Sequence, residues 1–167
     1  MKKPIILLLT SILFIGMTST LSLAAEALPD GKDYPAKLYH GETVTSVDRS
    51  DGFTNMFRTR FKQALSNETV FAGEYAMTEW GCGGSGCHVV AFINKRTGRA
   101  LDTAFQAYEA GTSEEPESIG EEIVYLNQNS RLLVTDETTE NGEAFRKYYV
   151  VKNNKLELIR KVPAEKE

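Results

Sequence analysis

Thr78-Glu79-Trp80-Gly81-Cys82-Gly83-Gly84-Ser85-Gly86-Cys87-His88 is the stretch that decides how this chain folds. Before it, Val70 to Trp80 alternates with period two: Phe71, Tyr75 and Met77 fall on one face, Val70, Ala72, Ala76 and Trp80 on the other. After it, Cys87 to Asn94 is apolar on both faces, as a central strand is. The stretch is therefore read as the tip of a β-hairpin. Paired strands at its neck bring Cys82 and Cys87 within the ~4.4–6.8 Å that a disulfide requires.

Working outward, Asn94-Lys95-Arg96-Thr97-Gly98 is a short polar turn, and Arg99 to Phe105 is expected as a third strand. Between Ala100 and Ser130 the chain has no Lys or Arg, while Asp102, Glu109, Glu114, Glu115, Glu117, Glu121 and Glu122 supply seven acids. Ala110 to Glu122 is expected as a mobile acidic loop. Ile123–Leu126, Arg131–Thr135, Phe145–Lys152 and Lys155–Val162 follow as short strands. Their connections include Asn141-Gly142 and Asn153-Asn154, residues that tolerate positive φ. Short connections impose antiparallel neighbours in sequence order.

On the other side of the hairpin, Asp48 to Asp51 offers helix caps. Phe53, Met56, Phe57, Phe61, Ala64 and Leu65 then recur at helical spacing, predicting one amphipathic helix from about Asp51 to Ser66. The expected fold class is α+β: an antiparallel β-meander of about seven strands, twisted or partly closed, with that helix packed on one face. Residues 25–50 read as an extended N-terminal leader, 51–162 as the single domain and 163–167 as a charged tail.

Met1 to Ala24 has the three parts of a secretory signal: Lys2 and Lys3, an apolar run, and Ser22-Leu23-Ala24. Cleavage is expected after Ala24, with Ala27 the second choice, giving a periplasmic protein with no stable membrane insertion after cleavage. Losing Lys2 and Lys3 leaves 17 basic against 23 acidic side chains, a net charge of −6. Such a balance disfavours nucleic acid as a partner. In an oxidising compartment, two cysteines are expected to form a disulfide.

The chemistry available at the tip is narrow. A redox dithiol uses a two-residue gap at a helix N-terminus, and neither condition is met. Zinc would need Cys82, Cys87 and His88 plus His40 or Glu79, yet the neighbours Cys87 and His88 point to opposite faces of a strand. Ser85 lacks a strand-to-helix elbow and a clear base. No catalytic residue, metal or cofactor is therefore expected. Trp80, Gly83, Gly84, Ser85, Gly86 and His88 are assigned instead to recognition, with Trp80 either a core plug or an interface anchor.

Phe71-Ala72-Gly73-Glu74-Tyr75, the Trp80-Gly81-Cys82-Gly83…Cys87 segment and Asn94-Lys95-Arg96-Thr97-Gly98-Arg99 together resemble a group of small exported bacterial proteins that share this hairpin. More loosely, the loop is similar to that of periplasmic inhibitors of vertebrate lysozyme, which push a cysteine-framed loop of the same gap into the lysozyme cleft. Their loop carries a histidine and charged residues where this chain has Gly83, Gly84, Ser85 and Gly86. Some immunity proteins of type VI secretion toxins are similar in inserting a loop serine into an active site, the role that resemblance gives Ser85. It implies a non-enzymatic inhibitor or immunity protein whose partner is a lysozyme-like or amidase-type cell-wall hydrolase; the charge of the acidic Glu109–Glu122 segment is expected to aid its approach to a cationic enzyme. The alternatives are an envelope structural or stress protein and a small hydrolase using His88, Ser85 or Glu79.

Overall fold

The computed structural model describes residues 27–84, 86–112, 114 and 116–164. The proposed signal segment, Ser85 and the end of the charged tail lie outside the described residues. Seven strands form one sheet in the order of the chain: β1 (Tyr75–Gly81), β2 (His88–Asn94), β3 (Phe105–Gly111), β4 (Pro116–Tyr125), β5 (Leu132–Thr138), β6 (Ala144–Lys152) and β7 (Lys155–Pro163). Every neighbouring pair is antiparallel, so the meander expected from the short turns is present. The turns use the conformations their residues suggest: φ is +51° and +60° at Asn153 and Asn154, and +76° at Gly142.

The sheet is strongly curled. In a flat sheet β1 and β6 would lie roughly 24 Å apart, at ~4.8 Å per strand. Yet Phe71, Tyr75 and Phe92 share one core cluster with Leu133 and Val151, and the Tyr75 hydroxyl donates to Asn154 Oδ1 at 3.1 Å. No ladder joins β1 to β7, so the sheet is not closed. Burial of the Tyr75 phenol inside this curl pushes its pKa up to about 12.

The other face of β1 and β2 is covered by helix, but the helical segment is short and bent. It forms α1 (Gly52–Met56) and α2 (Arg58–Ala64), so the fold is mostly β and the expected single helix over 51–66 is corrected. At the joint, Phe57 leaves helical backbone (φ −106°, ψ 26°) and lays its ring 4.9 Å from that of Trp80. The start of α1 is fixed by Asp51, whose carboxylate accepts from Thr54 N and Thr54 Oγ1 at 2.9 and 2.6 Å. Phe61, Ala64 and Leu65 meet Ala76, Ala91 and Ile93 of the sheet.

Three further boundaries depart from the sequence reading. Residues 99–104 are not a strand, and β3 begins only at Phe105. Side chains from elsewhere engage their backbone: Ala100 N donates to Thr54 Oγ1 at 2.9 Å, and Ala100 O accepts from Asn154 Nδ2 at 2.7 Å. Val70 to Glu74 is a turn leading into β1, with positive φ at Ala72 and Gly73. Any side chain on Gly73 would collide with the Lys37 carbonyl. Finally, the acidic segment expected as a loop is largely the β3–β4 hairpin, with Ala110 opposite Glu117. Gly120 permits that pairing because its missing side chain leaves room for the Gln106 carbonyl.

Residues 34–48 run over this frame and are tied to it by main-chain bonds, including Arg131 N to Tyr34 O at 2.7 Å, Tyr39 N to Gly73 O at 2.9 Å and Asp48 N to Gly98 O at 2.7 Å.

Candidate functional site: the hairpin tip and the curled face beneath it

β1 and β2 remain in register up to the pair Gly81 and His88. Beyond it, Cys82 N donates to Cys87 O at 3.0 Å and Cys87 N to Gly84 O at 3.2 Å, which closes the turn. The disulfide links the same two residues, whose Cα atoms are 5.2 Å apart. Gly83 (φ +139°) and Gly86 (φ +61°) adopt backbone that other residues rarely reach. A side chain on Gly83 or Gly84 would meet nothing within 4 Å, so this end of the hairpin stands clear of the fold. Gly86 instead rests on the Glu109 side chain of β3, and Gln106 Nε2 donates to Cys87 Sγ at 3.7 Å.

The structure separates the residues that the sequence grouped together. Trp80 lies on the helix side, stacked on Phe57, edge-on to Phe61 and under the Arg60 guanidinium at 5.4 Å. Its indole is therefore built into the packing of α1 and α2. His88 lies on the opposite, curled face: its Nδ1 is 3.2 Å from Gly86 O and its Nε2 3.7 Å from a Glu122 carboxylate oxygen. Only Gly83, Gly84 and Gly86 remain at the tip among the described residues. Among the described residues, no cluster of three or more His, Cys, Asp and Glu side chains could hold a metal ion.

His88 also borders an open cleft of about 510 Å³ on the curled face, floored by Met77, Val90, Phe105 and Ile123 and edged by Glu79, Glu121 and Glu122. Next to it is a polar network that sequence reasoning missed. Glu121 accepts from Thr135 Oγ1 at 2.6 Å, Tyr149 OH at 2.7 Å and Lys147 Nζ at 3.0 Å. Lys147 also reaches Glu137 at 2.8 Å, and Glu137 in turn accepts from Lys161 at 3.3 Å. A signal was available: period two along β6 places Lys147 on the same face as Tyr149 and Val151, where a lone lysine needs partners.

These contacts set the ionisation of the network. Burial alone would raise the Glu137 carboxyl, but hydrogen bonds from Lys147 and Lys161 outweigh it and hold the group below its ordinary 4.5. Burial would likewise lower Lys147, yet its bonds to Glu137 and Glu121 raise it above 10.5. Burial, then the bond to Glu121, pushes the Tyr149 phenol up. A depressed carboxyl stabilises the fold above its unfolded value, and a raised lysine does so below its own. Thermal melts are therefore expected to show a plateau, with stability lost as pH falls below about 4.5 and as it rises past about 10.5. A melting temperature that kept rising into acid below that value would contradict the assignment.

Fold and site together define a β-meander domain carrying a disulfide-closed hairpin tip. Comparison of the chain with protein-family models, with curated proteins and with solved structures finds no match.

Proposed function

We propose that this chain is an exported inhibitor or immunity protein of a cell-wall hydrolase, processed after Ala24 and acting in the periplasm through the Cys82–Cys87 tip. The observation that carries this reading is the combination at the tip. Two main-chain bonds and a disulfide hold it in one shape, while Gly83 and Gly84 face open space. A narrow, preorganised protrusion loses little entropy on entering a cleft and offers its backbone groups to the cleft walls. Ser85, next to Gly84 in the sequence, is proposed as the hydroxyl contact. Glu109, beneath Gly86, and Glu122, beside His88, place negative charge around the tip, which favours a cationic enzyme. His88 serves here as a positioning and rim residue, and the chain needs no catalytic group.

The test is an inhibition assay of the mature chain against a panel of lysozymes and peptidoglycan amidases, with Cys82→Ser/Cys87→Ser alongside. Opening so small a ring is expected to cost about 2 kcal/mol of stability. Inhibition is expected to fall at least tenfold at temperatures where the variant remains folded. A variant that melts earlier but inhibits as well as the parent would make the disulfide purely structural, and the docking role of the tip would be abandoned.

A further inference from the structure

The charges of this chain are divided between two surfaces. From Gly52 to Asn67 there is no acidic residue, while Arg58, Arg60 and Lys62 supply positive charge in an otherwise acidic protein. Folding keeps this segment away from the acidic one, because α1 and α2 pack on β1 and β2 whereas the acids belong mainly to the β3–β4 hairpin. Beside α2 is an open cleft of about 600 Å³, lined by Ser46, Val47, Arg49, Arg58, Thr59 and Lys62. The two arginines at this cleft are held by neutral groups. Arg49 Nε donates to Asn55 Oδ1 at 3.4 Å and Arg58 Nη1 to Asn55 O at 3.3 Å, both neutral acceptors. The nearby Asp48 and Asp51 are engaged by Arg99 instead, at 3.6 and 3.0 Å. On the same helical segment, Met56 is 71 % exposed, more than any other large apolar side chain among the described residues.

We propose that α1 and α2 form a peripheral docking surface for an anionic lipid bilayer, with lipid phosphates at the Arg49, Arg58 and Lys62 cleft and Met56 entering the headgroup boundary. Guanidinium forks suit phosphate oxygens. The acids on the other surface are screened beyond about 8 Å at physiological ionic strength, so the overall negative charge does not cancel a local contact. The exposed methionine favours a bilayer over a free phosphate ion, because only a bilayer provides apolar volume for it. This surface is separate from the tip, so the chain could hold the membrane while the hairpin remains open to a protein partner.

The experiment is co-sedimentation of the mature chain with vesicles of phosphatidylcholine alone or mixed with phosphatidylglycerol. Binding is expected only to the mixed vesicles, weakening as salt is added. Arg49→Gln, Arg58→Gln and Lys62→Gln are each expected to weaken it roughly fivefold and together about 100-fold. Met56→Ser should reduce binding further, and Lys155→Gln on the distant β7 should leave it unchanged. All these side chains are exposed, so circular dichroism of the variants should match the parent. Equal binding to both vesicle types, or full binding by the triple variant, would overturn the proposal. Displacement by inorganic phosphate together with an inert Met56→Ser would also overturn it, in favour of a free-phosphate site.

Discussion

A Gly84→Arg variant is expected to lose at least about 100-fold in inhibition of the hydrolase proposed as its target while melting within about 2 °C of the parent. The two halves of that expectation come from different observations. Gly84 is not among the positive-φ glycines, and a side chain built on it meets no atom within 4 Å. The fold therefore gains no clash and no backbone strain, and surface changes of that kind usually alter stability by about 0.5 kcal/mol or less. A cleft shaped to a glycine tip, by contrast, has no room for a guanidinium on a three-carbon stem. Neighbouring positions are less informative. Gly86→Ala would press on the Glu109 carboxylate and force a positive φ on alanine, mixing folding with binding. An arginine at position 84 that inhibits as well as glycine would show that the tip does not enter the cleft.

Lys147→Met is expected to cost about 3 kcal/mol and to lower the melting temperature by about 10 °C. The register of β4 and β5 sets Glu121 directly opposite Glu137. Like charges in that position destabilise a sheet unless a cation lies between them. Lys147 is that cation, at 3.0 and 2.8 Å from the two carboxylates and with only 13 % of its side chain exposed. Methionine keeps the apolar volume and removes the charge. Glu121 would then rely on Thr135 and Tyr149, and Glu137 on Lys161. A second substitution, Glu137→Gln, is expected to restore most of the loss by removing one of the facing charges. Urea melts of the single and double variants measure this coupling. If the two effects simply added, the network would not be cooperative and the account of the curled face would be wrong.

Much of this architecture was legible because local rules and global fold agree. Alternation in Val70–Trp80 and Cys87–Asn94, two cysteines at their junction, and Asn-rich turns after β5 and β6 lead to a sequential antiparallel sheet with a closed tip. The departures come where distant groups take over local preferences. Arg99 to Phe105 alternates like a strand, but its pairing with β2 is limited to a single bridge between Ile93 and Ala100, and the Ala100 groups that face away from β2 are taken by Thr54 and Asn154, 46 and 54 residues away. Ala110 to Glu122 looks like a loop because its charge and three breaks, Gly111, Pro116 and Gly120, mask a hairpin. The helix bends because Phe57 must reach Trp80, a contact that periodicity does not encode.

The same limit applies to the candidate site. The disulfide and the exposed glycines followed from spacing. The division between Trp80 on the helix side and His88 on the curled face followed only once β1 and β2 were in register, with Gly81 opposite His88. The Glu121–Lys147–Glu137 cluster joins residues from three neighbouring strands, and only the register of β4, β5 and β6 brings these half-buried side chains together.

Hydrogen exchange of the mature chain, free and saturated with the cell-wall hydrolase proposed as its partner, tests the docking claim most directly. New protection is expected to centre on the amides from Cys82 to His88 and on the adjoining end of β3 near Glu109, with α1, α2 and β7 unchanged. Protection confined to the helices or to β7, with the tip exchanging as in the free protein, would contradict it.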